Sequence, residues 1–529
     1  MQGIGDSTAY ENKGACEGQA GSPAAAYVGR ILRARVYDVA KETPLDPAPR
    51  LSRRLGNEVW LKREDLQPVF SFKLRGAYNK IAQLPPELLA RGVICSSAGN
   101  HAQGVALAAK RHGVRAVVVM PTSTPSIKID AVRALGAETI LDGDTYDDAY
   151  ECAVRLAETQ GLTFVHPFAD PDVIAGQGTI GVELTRQWAK PPAAIFVPVG
   201  GGGLIAGIGC YIKQLYPEVK VIGVEPFEAA SMHEALRHGG PVTLERVGLF
   251  ADGVAVRRVG ELNFALVREV VDEILLVGTD EICAAMKDIF EDCRVIMEPA
   301  GALAVAGLKA YVEQARPRGE SLIAIASGAN VSFDRLGHVA ERAELGEHRE
   351  ALLAVEIPEQ RGAFLKFCEA LGQRNITEFN YRYSPSAQEL ARIFVGVGLQ
   401  GERRDASALA AHLRGLGYPV LDLSDNELAK LHLRHMIGGC VAELRDELIY
   451  RFEFPERPGA LLHFLQAVGV RWNISLFHYR NHGSDHGRVL AGVQVPPEEH
   501  ADFEAHLQTL GYAYTNEAAN PAYGLFLSA

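Results

Sequence analysis

The sequence predicts an α/β protein, in which one large region built on parallel β-sheets is followed by two smaller α+β units. Three observations carry this prediction. Short apolar runs rich in β-branched residues alternate with helical stretches from about residue 27 to residue 335. The segment at 354–382 recurs at 450–480. At roughly 150 residues per domain, the chain of 529 residues is long enough for three or four domains.

The composition is that of a soluble globular protein. Hydrophobic residues make up 47% of the chain and charged residues 22%, which is enough to build a sizeable core. The formal net charge of −12 is unfavourable for binding nucleic acid, which requires clustered Lys and Arg. The sequence has no run of 18 apolar residues that could span a membrane. We therefore expect neither nucleic acid nor a membrane as a partner.

Residues 1–26 are predicted to be a disordered tail. They lack the apolar core of a signal peptide, and they contain Asp6, Glu11 and Glu17 but no Arg, unlike a transit peptide. The eight cysteines of the chain are spread singly, without a CxxC pair, as is typical of a reducing compartment. These features predict a cytoplasmic protein.

The large region, 27–340, contains strand and helix patterns in strict succession. GVICSS precedes HAQGVALAAKRHG, AVVVMP precedes SIKIDAVRALGAE, and AAIFVPV precedes GGLIAGIGCYIKQLYP. Such short apolar strands, each followed by a helix, indicate parallel pairing with helices on both faces. In sheets of this kind ligands bind beyond the carboxyl ends of the strands, so functional residues are expected in the strand-to-helix loops.

The first loop of interest is SFKLRGA at 71–77. Lys73 lies between Phe72 and Leu74, with Arg75 close by. An apolar setting and a nearby cation both disfavour the ammonium form, which leaves the free amine that a Schiff-base lysine needs. A single lysine of this kind is more often a surface residue that keeps its charge in water, so this loop alone decides nothing.

The second loop is SSAGNHAQG at 96–104, between a strand and an Ala-rich helix. Its small residues permit close backbone approach, and the helix N-terminus offers N–H groups to an anion such as a carboxylate. Asn100 adds a neutral hydrogen-bonding side chain. An ordinary helix cap formed by Ser97 or Asn100 explains the pattern equally well.

The third loop is VPVGGGGLIAG, with glycines at 200–203 between a strand and a helix. Four successive glycines are costly in backbone entropy, and a nest of N–H groups around a phosphate best explains them. The loop matches neither GxGxxG nor GxxxxGKS, and Glu225 alone does not indicate a ribose site. A flexible turn without a ligand is the alternative.

A lysine in an apolar setting, an anion-binding loop and a phosphate-binding loop on one α/β sheet together indicate a pyridoxal phosphate site. With the later SGAN at 327–330, these motifs resemble the signatures of the fold-type II pyridoxal-phosphate enzymes, specifically the serine/threonine dehydratases. The C-terminal repeats resemble the ACT-like, ferredoxin-like regulatory units of the biosynthetic threonine ammonia-lyases. The resemblance covers about residues 27 to 529.

The resemblance implies a role for each motif residue. Lys73, preceded by Phe72, binds pyridoxal 5′-phosphate covalently, Asn100 bonds the ring hydroxyl, and Ser327 faces the pyridine nitrogen. The phosphate is held by the third loop, which consists of Gly200, Gly201, Gly202, Gly203 and Leu204. The carboxylate of the substrate is held by the second loop, which consists of Ser97, Ala98, Gly99, Asn100 and His101.

The implied reaction is the dehydration and deamination of L-threonine to 2-oxobutanoate and ammonia, the committed step of isoleucine biosynthesis. Lys73 removes the Cα proton and the β-hydroxyl then leaves. Ala98 stands where the similar serine racemases carry a serine as a second base, so racemisation is not expected. No metal is expected either, because Ser231 replaces an acidic cation ligand and the histidines of HYRNHGSDH are typical of a turn.

The repeats place two ACT-like units at 351–424 and 447–519. Gly362 aligns with Gly459 and Asn375 with Asn473, and the loops EQRGAF and ERPGAL offer N–H groups to an amino-acid carboxylate. Phe364 and Leu461 either line a side-chain pocket or belong to the core face of a helix. The resemblance implies isoleucine as inhibitor, valine as its antagonist, and a homotetramer.

Two other functions compete with this interpretation. A serine-preferring or catabolic dehydratase shares the catalytic motifs, but such relatives generally lack the double C-terminal unit. A catalytically inactive amino-acid sensor needs only the C-terminal half, whereas Lys73, Asn100, the glycine loop and Ser327 are all present. Both alternatives are therefore less favoured.

Overall fold

The computed structural model describes most of the chain. The described residues are 9–11, 22–122, 124, 126–143, 145–347, 349–358, 360, 362–382, 390–399, 404–426, 429–430, 445–455, 460–468, 471–480, 486–510 and 512–519. The chain divides into two compact units, residues 1–343 and residues 344–529.

The first unit is built from two β-sheets and the helices that cover them. Its strands are β1 (Ala9–Glu11), β2 (Leu45–Pro47), β3 (Glu58–Arg63), β4 (Val93–Ser96), β5 (Ala116–Met120), β6 (Glu138–Leu141), β7 (Thr163–Phe164), β8 (Ala194–Pro198), β9 (Lys220–Pro226), β10 (Glu273–Val277) and β11 (Ser321–Ala326). Its helices are α1 (Pro23–Leu32), α2 (Pro49–Leu55), α3 (Lys73–Ala82), α4 (Pro86–Arg91), α5 (Asn100–His112), α6 (Ser126–Ala134), α7 (Tyr146–Gln160), α8 (Pro171–Gln187), α9 (Gly203–Leu215), α10 (Ser231–His238), α11 (Glu261–Val270), α12 (Thr279–Cys293), α13 (Pro299–Ala315) and α14 (Leu336–Gly346), the last of which contains the boundary between the units.

The larger sheet has the strand order β1-β10-β9-β8-β11-β3-β2. Its strands β10, β9, β8, β11 and β3 are parallel, while β1 and β2 pair antiparallel at the edges. The smaller sheet, β6-β5-β4-β7, is parallel throughout. The predicted parallel α/β region is therefore confirmed, and it contains two sheets.

Local sequence explains where these elements form and end. Every residue of β5 and β8 is buried, as expected of strands covered on both faces. Helix α7 begins with a capping box, in which Thr145 and Asp148 each accept the other's backbone N–H. Helix α5 ends at Gly113, whose left-handed backbone is readily adopted by glycine.

The predicted disordered tail differs from the structure at two places. Ala9–Glu11 forms β1, which pairs with β10, and α1 begins at Pro23 with Ser22 as its cap. Ala24 is fully buried against the core beneath α9, so it belongs to the folded unit. The prediction is wrong for these residues, and the rest of the tail lies outside the described residues.

The second unit consists of the two repeats. Its strands are β12 (Glu350–Pro358), β13 (Ile376–Arg382), β14 (Leu390–Gly398), β15 (Val420–Asp422), β16 (Glu447–Pro455), β17 (Asn473–Arg480), β18 (His486–Gln494) and β19 (Ala513–Asn516). Its helices are α15 (Ala363–Leu371), α16 (Arg404–Gly415), α17 (Ala460–Val468) and α18 (His500–Leu510). Each repeat thus runs β-α-β-β-α-β, which confirms the predicted pair of α+β units.

The two repeats form one continuous sheet, with the order β15-β12-β14-β13-β17-β18-β16-β19. They join where β13 pairs antiparallel with β17, with Phe379 opposite Tyr479. Aromatic side chains from both repeats, including Phe364 and Phe477, pack in a shared core.

Candidate active site

The loop before Lys73 is attached to the loop that follows β11. The backbone N–H of Phe72 donates to the carbonyl of Ser327 at 3.2 Å, and the N–H of Ala329 donates to the carbonyl of Phe70 at 2.9 Å. Phe70 has a left-handed backbone with φ of 54°, an unfavourable conformation for an aromatic residue. These contacts hold Lys73, the first residue of α3, beside Ser327.

Lys73 is half-buried, and its Nζ donates to the carbonyl oxygen of Gly253 at 3.1 Å. Burial lowers the pKa of Lys73, while the negative charges of Glu298 and Asp252 oppose this effect. The cation that adds to the lowering is Lys128, whereas Arg75 had been expected from the sequence. The lysine is therefore surrounded by charges from distant parts of the chain.

Arg75 has a different function from the one the sequence suggested. Its guanidinium is fully buried and forms ion pairs with Glu64 at 2.8 Å and Glu183 at 2.6 Å. Lys62 completes the cluster by pairing with Glu183 at 2.6 Å. Because two cations face two carboxylates, this buried network is formally neutral and anchors α3 to its neighbours.

The second loop connects β4 to α5. The N–H of Gly99 donates to the hydroxyl of Ser97 at 3.2 Å, and α5 begins without a side-chain cap, so the alternative of an ordinary Ser97 or Asn100 cap does not hold. A Cβ at Gly99 would meet no atom within 4 Å, so space remains beside Ala98 and the helix N-terminus.

His101 has its side chain occupied by a structural contact. Its Nε2 lies 2.9 Å from the carbonyl oxygen of Val165, which can only accept, so the ring donates from this nitrogen. Burial lowers the pKa of His101 to about 3, which keeps the ring neutral. Only the backbone of His101 is thus available to bind a substrate.

The side chain of Asn100 is held by two partners. Its Nδ2 donates to Oε1 of Glu298 at 2.6 Å, and its Oδ1 accepts from Nδ2 of Asn330 at 2.6 Å. Asn330 also donates to the carbonyl of Val69 at 2.9 Å. One hydrogen of the Asn100 amide remains without an acceptor among the residues that the structure describes.

The glycine loop connects β8 to α9. Gly202 has a left-handed backbone with φ of 84°. A Cβ at Gly201 would lie 2.1 Å from the ring of Phe168, and one at Gly200 would lie 2.9 Å from Val254. Close packing of protein atoms therefore requires glycine at these positions, a reason that the sequence does not reveal.

The N–H groups of this loop are nevertheless available to an anion. Within the described part of the chain, no acceptor contacts the N–H groups of Gly200 to Leu204, and the last two lie in the first turn of the 13-residue α9. Such groups at a helix N-terminus carry partial positive charge. The loop has the donors that a phosphate group requires.

Ser327 is buried at the end of β11, and its hydroxyl donates to the carbonyl of Ala300 at 3.2 Å. A hydroxyl has one hydrogen and two lone pairs, so in this arrangement Ser327 can still accept. Ser327, Lys73, Asn100 and the glycine loop all belong to the first unit.

Sequence reasoning missed three charged residues around Lys73. Glu298 is buried, and burial together with the charge of Asp252 raises the pKa of Glu298 to about 7. Asp252 lies in a short 3₁₀ helix and pairs with Lys128 at 2.5 Å. The available signal was the lone acid of MEPAGALAVAG, which directly precedes a proline and an Ala-rich helix.

The second unit contains a cleft between the two repeats. It is lined from the first repeat by Ile357, Pro358, Gln360, Gly362, Ala363, Phe364, Leu365 and Tyr381, and from the second by Leu465, Trp472, Asn473 and Ile474. Three of the predicted effector residues, Gly362, Phe364 and Asn473, therefore meet at one cleft.

The other predicted effector residues lie elsewhere. Leu461 is in the core, and Asn375 has its backbone carbonyl bonded to the N–H of Gly398 at 2.7 Å; neither lines the cleft. Gly459 lies outside the described residues. The core alternative thus holds for Leu461, and the described cleft is lined by residues of both repeats.

Among the described residues, no group of three or more His, Cys, Asp or Glu is placed to bind a metal ion, and His482 lies outside them. None of the helices that the structure describes has the length and apolar character needed to cross a membrane.

Two protein-family models match the chain. A model described as pyridoxal-phosphate dependent enzyme matches residues 36–328. A model described as the C-terminal regulatory domain of threonine dehydratase matches twice, at residues 341–433 and 438–527. The two models together account for most of the chain.

Curated relatives match over almost their whole length. The biosynthetic L-threonine dehydratase IlvA of Burkholderia multivorans is 56% identical over 505 residues, which are 95% of this chain and 99% of the relative. The biosynthetic L-threonine dehydratase IlvA of Escherichia coli is 54% identical, over 96% of this chain and 98% of the relative.

Solved structures match the same fold. The processed form of threonine deaminase isoform 2 from Solanum lycopersicum aligns with a TM-score of 0.61 and 52% identity, over 63% of this chain and 96% of that one. Maize serine racemase aligns with a TM-score of 0.56 and 31% identity, over 59% of this chain and 96% of that one.

Proposed function

This chain belongs to the biosynthetic threonine dehydratases, and from that premise we propose how its residues carry out and control the reaction. It is a pyridoxal-phosphate enzyme of fold-type II with a C-terminal regulatory region, and it converts L-threonine to 2-oxobutanoate and ammonia in the isoleucine pathway. The serine-preferring or catabolic dehydratase and the inactive sensor are not supported. The roles of individual residues, the effectors and the assembly are proposals.

The residues of the first unit fit pyridoxal phosphate. Lys73 offers a half-buried amine with a lowered pKa, Gly200 to Leu204 offer N–H groups for the phosphate, and Asn100 offers one unused hydrogen for a ring oxygen. We assign Ser327, whose hydroxyl can still accept a hydrogen bond, to the ring nitrogen. When bound, the cofactor supplies an aldehyde for covalent attachment and a ring that withdraws electrons from the Cα of the substrate.

Lys73 is the base of the proposed mechanism. Burial lowers the pKa of its amine, so the neutral form is accessible without a strong external base. With pyridoxal phosphate and threonine bound, Nζ of Lys73 would accept the Cα proton. Ala98 has no exchangeable proton, which agrees with a reaction that eliminates the β-hydroxyl and does not racemise Cα.

The loop between β4 and α5 is the proposed site of the substrate carboxylate. The N–H of Gly99 is already bonded to the hydroxyl of Ser97, so we assign the carboxylate to the Ser97 hydroxyl and to the backbone N–H groups of Ala98, Asn100 and His101, beside the open space at Gly99. A carboxylate at the N-terminus of α5 is stabilised by the partial positive charge there. Fixing this group orients the Cα–H bond toward Lys73.

The cleft between the repeats is the proposed effector site, for isoleucine as inhibitor and valine as antagonist. Its apolar side chains, among them Phe364, Trp472 and Ile474, suit a branched aliphatic side chain. The N-terminus of α15, capped by Gly362, suits a carboxylate. Such an effector changes turnover in the first unit only by binding two conformations of the protein unequally.

We further propose a homotetramer in the cytoplasm. The tetramer rests on the resemblance to the regulated dehydratases, and the cytoplasmic location rests on the unpaired cysteines, five of which are buried as small apolar side chains.

The test of this function is release of keto acid from L-threonine by the purified protein, with and without L-isoleucine and with L-serine for comparison. We expect turnover of threonine that isoleucine suppresses and valine restores. Turnover that isoleucine does not change would contradict the proposed effector site but would still support the proposed reaction. A yellow protein that does not turn over threonine would contradict the assignment of threonine as the substrate.

A further inference from the structure

The orientation of the Asn100 amide follows from a chain of three hydrogen bonds that ends on the backbone. The carbonyl of Val69 can only accept, so the Asn330 atom at 2.9 Å from it is the amide nitrogen. That same nitrogen lies 2.6 Å from the side chain of Asn100, which must present its oxygen there. The nitrogen of Asn100 therefore points the other way.

Glu298 meets that nitrogen and keeps it in place. Its Oε1 accepts from Asn100 at 2.6 Å, and its backbone N–H donates to the carbonyl of Gly328 at 3.2 Å. A Cβ at position 328 would lie 2.7 Å from Oε1 of Glu298, so this close approach depends on the glycine. The start of α13 and the loop after β11 thus hold Asn100 from two sides.

A reversed amide would be opposed at both ends. Its nitrogen would face the Asn330 nitrogen, donor against donor, and its oxygen would face the Glu298 carboxyl. Asn100, Glu298 and Asn330 are separated by up to 230 residues, yet each side-chain bond among them is 2.6 Å long. All of these groups belong to the first unit.

We propose that Asn330 and Glu298 are positioning residues that fix the Asn100 amide as a hydrogen-bond donor toward the cofactor. The inference rests on the role proposed above for Asn100. Its chemical consequence is that the ring oxygen of pyridoxal phosphate must accept from Asn100, which favours the ionised form of that oxygen.

Glu298 also makes this arrangement sensitive to pH. The charged groups that act on its carboxyl are Asp252, Lys73 and Lys128, and Asn100 is its hydrogen-bond partner. Burial, with the charge of Asp252, raises the pKa of Glu298 to about 7, so the carboxyl ionises near neutral pH. The ionised form is the stronger acceptor and holds the Asn100 amide more firmly.

The test uses the holoenzyme and the visible absorption of its bound cofactor. Asn330→Asp removes both N–H donors, so Asn100 is free to reverse and present its oxygen to the cofactor. We expect a displaced absorption band, and a kcat lower by about tenfold to a hundredfold with KM for L-threonine changed far less. Glu298→Ala should act in the same direction.

Two comparisons separate positioning from general damage. Asn57→Asp is a matched control, because the amide nitrogen of Asn57, like that of Asn330, donates to two acceptors. Those of Asn57 are the backbone carbonyls of Leu55 and Pro317, and neither belongs to the proposed site. It should lower thermal stability and leave the absorption band in place. Glu298→Gln keeps an acceptor oxygen, so it should restore most of the activity lost in Glu298→Ala while removing the pH dependence near 7.

An unchanged band and a kcat within about twofold of wild type in both Asn330→Asp and Glu298→Ala would overturn the inference. If Asn330→Asp does not fold, the Glu298→Ala and Glu298→Gln pair decides alone. Asn100→Ala identifies the source of a failure. A normal absorption band in that variant would contradict the role of Asn100 and therefore the inference. Absence of threonine turnover in the wild-type protein would instead contradict the proposed function.

Discussion

Nζ of Lys73 lies 3.1 Å from the carbonyl oxygen of Gly253, although 180 residues separate the two in the chain. Gly253 belongs to the 3₁₀ helix Asp252–Val254, and its neighbour Asp252 pairs with Lys128 of α6. One short helix therefore positions the amine and places a negative charge near it. Both effects give testable consequences.

Replacing Lys73 by alanine removes the proposed base and the covalent attachment of the cofactor together. We expect the absorption of covalently bound cofactor to vanish and kcat to fall by at least about a thousandfold, in the range for loss of a nucleophile or base. Keto-acid release and the visible spectrum measure the two effects. Lys80→Ala is the control, because Lys80 lies on the same helix in ion pairs with Asp170 and Asp172; normal activity in Lys73→Ala would contradict the mechanism.

Asp252→Asn should change how fast the apoprotein captures pyridoxal phosphate. The charge of Asp252 raises the pKa of Lys73, so its removal increases the fraction of neutral amine at a given pH. We expect capture at pH 7 to be about two- to fivefold faster and the pH profile to move to lower pH, with stopped-flow absorbance as the measurement. Asp147→Asn, which breaks the Asp147–Arg257 pair, should leave the profile unchanged; a shift to higher pH in Asp252→Asn would contradict the assignment.

Ala363→Leu should abolish the response to isoleucine without changing basal turnover. Ala363 is buried at the start of α15 and lines the cleft between the repeats, so a larger side chain fills the space for an effector. We expect the isoleucine concentration for half-inhibition to rise by about tenfold or more, from a loss of roughly 1.4 kcal/mol of binding free energy. Ala408→Leu, at an exposed position of α16, is the control. Unaltered inhibition in Ala363→Leu would place the effector elsewhere.

Glu225 should make the stability of the apoprotein fall as pH rises. Burial raises the pKa of this carboxyl from 4.5 to about 8, even though it accepts N–H groups from Met232 and His233. The folded chain thus holds a proton that the unfolded chain has released, so this contribution to the free energy of unfolding is complete below pH 4.5 and is lost as pH rises through 8. At about 1.4 kcal/mol per pKa unit, it is limited to about 5 kcal/mol.

Glu225→Gln cannot titrate, so chemical unfolding of this variant between pH 5 and pH 9 should show a shallower decline than wild type. Glu228→Gln provides the control, since it makes the same charge change at an exposed position three residues further on. Equal slopes in wild type and Glu225→Gln would show that the carboxyl is already ionised in the folded protein.

Much of the fold can be predicted from the sequence because its central strands are continuous apolar runs. In β5 and β8 every side chain is buried, so the apolar runs AVVVM and AIFVP stand out against the amphipathic helices. The duplication is equally clear, because its two copies keep strand, loop and helix at the same spacing. The edge strand β1 is not predictable, since its three residues AYE gain their structure only by pairing with β10.

The candidate site was only partly predictable from the sequence. Lys73, Asn100 and Ser327 occur in local motifs, so their loops could be recognised without knowing what surrounds them. Glu298, Asp252 and Lys128 act through space, and nothing near them in the chain indicates Lys73 as their neighbour. For Arg75 the sequence was misleading. It lies two residues from Lys73 and was expected to lower the pKa of that lysine, but its guanidinium is paired with Glu64 and Glu183.

The regulatory unit shows the same limit. Aligning the repeats predicts a binding loop in each of them. It does not predict that β13 pairs with β17, which joins the repeats in one sheet, or that residues of both repeats line the described cleft. Sequence similarity between the copies contains no information about how they pack against each other.

The most direct test of the central claim, that Lys73 holds the cofactor, is chemical reduction of the holoenzyme with borohydride followed by peptide mass spectrometry. Reduction makes the bond between the cofactor and its lysine permanent, so the modified residue can be identified. The account predicts the added mass of the reduced cofactor on the peptide that contains Lys73. Its presence on any other lysine, with Lys73 unmodified, would contradict the account.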